Sequence, residues 1–159
     1  MIEQHYSKDT SHAYQTLITN IHATKTEVFR LLATTDGISS WFPQLSINKE
    51  KDEQFVLFDM GDNTFEKMSL LDFATNEHIA FEWATGKVEL QLEEGHEETC
   101  LTLKEALPLD FKAIPQDFTG WYVQMKNIKN VLETGSVDKL DPSEIKKVRE
   151  QIKEKLFEN

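Results

Sequence analysis

The sequence predicts an α+β fold with the element order β-αα-β6-α and one further helix at its end. Three patterns predict it: a helix-start signal just after one short strand, six alternating apolar segments between residues 45 and 106, and aromatic residues at helical spacing from about 116 to 133. At 159 residues, 39% hydrophobic and 28% charged, the chain has the size and composition of a single core.

Residues 13–21, AYQTLITNI, are rich in β-branched and aromatic types and alternate, as a strand requires. Thr24 with Glu27 three positions later is a capping box, and Val28, Leu31 and Leu32 continue it as a helical stripe to about residue 35, where Asp36-Gly37 ends the helix. A second helical turn then sets Trp41 and Phe42 before Pro43. From Leu45 to Ala106 the six strands are separated by turns at 48–53, Gly61-Asp62-Asn63, Thr75-Asn76, Thr85-Gly86 and 94–96. Ile79, Phe81 and Trp83, then Val88, Leu90 and Leu92, then Leu101 and Leu103 give this meander one dry face. Phe118, Trp121, Tyr122, Met125, Ile128 and Leu132 form the stripe of a long helix that covers that face, with Gly135 at its C-terminal cap.

The chain divides into a domain over residues 1–136 and a helical extension over 137–159. Asp141 caps the last helix, Pro142 starts it and Glu144 reaches back toward the cap. Its narrow stripe of Ile145, Val148, Ile152 and Leu156 suits a helix-helix contact, either with the same chain or with another protein.

The formal net charge of −11 repels phosphate backbones and anionic lipid headgroups, which argues against nucleic acid as a partner. Cys100 is the single cysteine, the N-terminal segment has no signal-peptide core, and no stretch is apolar enough to insert in a membrane. A cytoplasmic location is expected.

Four blocks carry a family likeness: ITNIHATKTEVFRLLATTDGISSWFPQL at 18–45, LLDFATNEHIAFEW at 70–83, ETCLTLKEA at 98–106 and FTGWYVQMKNIKNVLETG at 118–135. Together they resemble bacterial single-domain proteins of the AHSA1-like branch (activator of Hsp90 ATPase homologue 1-like) of the SRPBCC, or START/Bet v 1-like, superfamily. The resemblance implies the helix-grip fold, a bent antiparallel sheet gripping a long helix around an apolar cavity. It also implies binding of lipid-like or other hydrophobic molecules, and it offers a chaperone of the Hsp90 type as a protein partner.

No convergent set of catalytic groups stands out, so a non-enzymatic binder is expected, without metal or other cofactor. His5, His12, His22, His78 and His96 occur singly, and Arg30 and Arg149 fall on no cavity face. The aromatic residues carry the functional expectation, because cavities lined by rings and a few polar groups bind small apolar molecules. Trp41, Phe81, Trp83, Phe118, Trp121, Tyr122 and Met125 are the candidate ligand-binding residues, with Tyr122 supplying a hydroxyl and Met125 a compliant wall. Trp41 and Phe42 can instead gate the cavity mouth, although core packing is the favoured role. The alternative function is a protein-interaction module acting through the acidic surface and the terminal helix.

Overall fold

A computed structural model describes residues 1–158 of the chain. Its elements are β1 (Glu3–Lys8), β2 (His12–Ile21), α1 (Lys25–Ala33), α2 (Thr35–Ser39), β3 (Leu45–Glu50), β4 (Glu53–Asp59), β5 (Phe65–Ala74), β6 (His78–Trp83), β7 (Gly86–Glu94), β8 (Thr99–Pro108), α3 (Ile114–Thr134) and α4 (Pro142–Phe157). The eight strands form one antiparallel sheet in the order β1-β2-β8-β7-β6-β5-β4-β3. The expected α+β architecture is present, with one strand more than the alternation predicted.

That strand is β1, a polar edge strand in which only the inward positions Gln4 and Tyr6 are half-buried. An edge strand with one wet face and one short inward row carries too few apolar residues to announce itself. Tyr6 nonetheless anchors it, stacking on Phe118 of α3 with ring centroids 6.2 Å apart.

Thr24 caps α1 through the reciprocal bonds of a capping box, its hydroxyl accepting from Glu27 N and the Glu27 carboxylate accepting from Thr24 N. The next boundary differs from the expected one. Helix α1 stops at Ala33, and Thr34, whose hydroxyl accepts from Gly37 N, caps a second helix that contains Asp36 and Gly37. A threonine cap thus outranks the Asp-Gly stop signal, because two short helices can share one hydroxyl-bearing junction.

Helix α3 runs 21 residues across the concave face of the sheet and ends at Gly135, whose φ of 89° is the left-handed cap the sequence predicts. Asp141 caps α4 by accepting from Ser143 N. Glu144 does not reach back to that cap. Its carboxylate accepts from the Tyr122 hydroxyl at 2.8 Å and from Lys126, both on α3, since two charge-assisted or phenolic donors outcompete one backbone amide. Val148, Ile152 and Leu156 are buried, so α4 lies back on α3 and β1 and its stripe joins the main core. Among the described residues, no helix is long and apolar enough to cross a membrane.

Candidate functional site between the sheet and the long helix

The candidate site grows from the inward rows of β2, β6 and β8 and the underside of α3. Strand alternation carries Ala13, Gln15, Leu17, Thr19 and Ile21 inward from β2, and Leu101, Leu103, Glu105 and Leu107 inward from β8. Gln15 and Glu105 are opposite each other in the β2–β8 register, and each is 2% exposed or less. Their side chains meet, Gln15 Nε2 donating to Glu105 Oε1 at 3.0 Å.

Asp117, on the first turn of α3, closes this group from above. Its Oδ1 accepts from Trp83 Nε1 at 2.9 Å, and its carboxyl adjoins that of Glu105. Counted as carboxylates, Glu105 Oε2 and Asp117 Oδ2 are both buried with no donor. One proton held between them supplies a donor to one oxygen and a partner to the other. Burial drives the Glu105 carboxyl well above the ordinary carboxylate range, Asp117 adds to the shift, and the Gln15 donor opposes it weakly. The Glu105 carboxyl thus favours its protonated form. Tyr6 adjoins it, its phenol pushed above the ordinary tyrosine range by burial, with smaller contributions from Tyr122 and Glu105.

Around the acid pair lies an aromatic cluster. Trp83 packs edge-on against Trp121 at 5.0 Å between centroids, and also meets Phe58 at 5.7 Å, Phe42 at 5.9 Å and Phe81 at 6.5 Å. Trp41 sits behind Trp121 at 6.2 Å and donates its indole N–H to the Leu31 carbonyl. Trp121 Nε1 is buried without a partner. Such edge-to-face contacts contribute about 0.5–1.5 kcal/mol each beyond the burial of their area.

The expected ligand-binding residues separate into two groups. Trp41, Phe81, Phe118, Trp121 and Met125 are at most 2% exposed and lie among the core residues. Phe42 is buried too, so Trp41 and Phe42 are core rings, not an exposed gate. The Tyr122 hydroxyl, expected to meet a ligand, is engaged by Glu144. Trp83 is half-buried and forms a wall of a cleft of about 180 Å³ that opens between β4, β5, the β6–β7 turn and the start of α3. Phe58, Met60, Met68 and Phe111 complete its apolar wall, and Asp117 and Glu66 are its acidic groups.

Gln15, Glu105 and Asp117 are absent from the sequence-based candidates. The signal was present: Glu105 continues the Leu101-Leu103 alternation and Gln15 continues the Ala13-Leu17 alternation, so both are in phase with dry positions. Asp117 carries no comparable signal, because its neighbour Phe118 holds the helical stripe.

No protein-family model matches the chain, and no curated protein matches it. Solved structures do. A conserved protein of unknown function from Enterococcus faecalis, EF2215, superposes with a TM-score of 0.86 at 26% identity, over 96% of this chain and 90% of its own. This chain has the helix-grip fold. CalU16 from Micromonospora echinospora shares that fold at 16% identity, with a TM-score of 0.70 over 97% of this chain and 94% of its own. The helix-grip likeness extends to the Aha1 dimer from Colwellia psychrerythraea, at 17% identity and a TM-score of 0.64, over 76% of this chain and 96% of that one. In CalU16 and EF2215 the match includes nearly the whole chain.

Proposed function

We propose that the protein is a cytoplasmic, non-enzymatic binder of a small hydrophobic molecule, and a member of the AHSA1-like branch whose motif blocks it resembles. The cleft beside Trp83 carries the reading. It has apolar and aromatic walls with two carboxyls, Asp117 and Glu66, among them, the composition of a small-molecule site. Its size suits a single ring or a short branched chain, since sites for drug-sized ligands begin at roughly 300 Å³. Trp83 couples the cleft to the ring cluster, so a larger ligand would enter by displacing rings toward the buried candidates Trp121 and Phe81. The stripe of α4 is spent against its own core, which favours a ligand over a protein partner docked on that helix.

The test is tryptophan emission with 2-phenylethanol as a one-ring probe. Trp41, Trp83 and Trp121 are the three tryptophans and belong to one ring cluster. A saturable emission change that Trp83→Leu removes supports the reading. A wild-type protein whose emission and calorimetric heat stay flat up to the probe's solubility rejects it.

A further inference from the structure

The acid pair and the cleft wall together specify the charge of the ligand. Two carboxyls, Asp117 and Glu66, face the cleft, while its other walls are Phe58, Met68, Trp83 and Phe111 with no basic side chain among them. Among the described residues, no lysine, arginine or histidine forms an ion pair with Glu66, Glu105 or Asp117. Trp83 Nε1 donates to one Asp117 oxygen, but among the described residues no basic side chain pairs with either cleft carboxyl. Behind Asp117, Glu105 is 2% exposed and its Oε2 has no donor other than the proton it shares, so the charge cannot be relieved from the core side.

Asp117 is half-buried with its Oδ2 enclosed, and a charge so placed without a counter-ion is costly, the more so for the apolar wall that excludes water. A bound cation removes it. Ring faces add to the attraction, since an ammonium within about 6 Å of an indole or phenyl centroid meets the negative face of its quadrupole. The formal charge of −11 raises the local concentration of cations and lowers that of anions around the whole molecule.

Resting on the reading of the cleft as a small-molecule site, the geometry points to an apolar organic cation as its ligand: an ammonium group bearing one aromatic or branched apolar substituent. The ammonium meets Asp117, and the substituent lies against Trp83, Phe58 and Phe111. A fatty acid or other apolar anion is excluded by the same charge.

Three molecules of matched shape and different charge test this: 2-phenylethylamine, 2-phenylethanol and 3-phenylpropionate, each titrated calorimetrically at pH 7 into the full chain. The amine is expected to bind at least about tenfold tighter than the alcohol, with no detectable binding of the acid. Asp117→Asn keeps an acceptor for Trp83 Nε1 and removes the nearer charge, so it should cut the amine's advantage over the alcohol several-fold, and Asp117→Asn with Glu66→Gln should abolish it, with the Trp83 indole proton resonance reporting that the site is still formed. Equal affinity of amine and alcohol in the wild type, or preference for the acid, overturns the cationic assignment and leaves the apolar cleft standing. No binding of any of the three overturns both.

Discussion

Replacing Glu105 separates a shared proton from an ordinary buried hydrogen bond. Glu105→Ala removes the acceptor of Gln15 Nε2, 3.0 Å away, and the partner of the Asp117 carboxyl. Each buried polar group left unpaired costs about 1–3 kcal/mol, so the variant should lose about 4 kcal/mol, or ~8–16 °C in Tm for a chain of this size. Glu105→Gln keeps both bonds, because its amide oxygen accepts from Gln15 and its N–H donates to Asp117. At pH 4.5 it should match the wild type within ~1 kcal/mol. The two proteins diverge as pH rises. Glu105 holds its proton in the folded state well above its ordinary value of 4.5, while the unfolded chain releases it. The folded state then binds more protons, so this group's contribution is complete below about pH 4.5 and declines upward, at a limiting slope of about 1.4 kcal/mol per pH unit. The groups facing Glu105 are Asp117 from α3, Gln15 from β2 and Tyr6 from β1. Urea unfolding of both proteins from pH 4.5 to 8.5 measures the difference directly. Parallel stability curves, or a glutamine variant as weak as the alanine one, would refute the shared proton.

Two further outcomes test how the elements are held. Ile152→Ala empties a fully buried position on α4 and should cost about 3 kcal/mol in chemical unfolding; a loss below ~1 kcal/mol would mean that α4 detaches freely from α3 and β1. Gly86→Ala places a Cβ 2.0 Å from the Ala106 carbonyl oxygen on the neighbouring strand and should destabilise by about 1–3 kcal/mol, with amide exchange accelerating in β7 and β8; unchanged exchange there would contradict the close approach.

Much of the architecture was legible because it follows from local periodicity. The capping box at Thr24 and Glu27, the alternation through 79–103 and the stripe from Phe118 to Ile128 each encode one element within a few neighbouring residues. β1 was not legible, since its stability comes from pairing with β2 and from one Tyr6–Phe118 stack, both long-range. Glu144 was misassigned for a related reason. A local cap partner was visible in the sequence, whereas Tyr122 and Lys126 approach only after α4 folds back on α3.

By itself, then, the sequence determined the α+β class, the dry face of the sheet, the helix that covers it and the ring-rich character of the interior, because burial of apolar stripes is set by spacing along the chain. Tertiary structure alone decided which rings are packed and which face a cleft: Trp41 and Trp121 are enclosed, while Trp83, from an equally apolar strand, reaches the opening. It also decided the chemistry of the site. Glu105 and Asp117 are 12 positions apart on different elements, and only the crossing of α3 over β8 brings their carboxyls together, with no ion pair to either among the described residues. Charge pairing inside a fold depends on distance in space, to which sequence spacing beyond one turn or one strand pair gives no access.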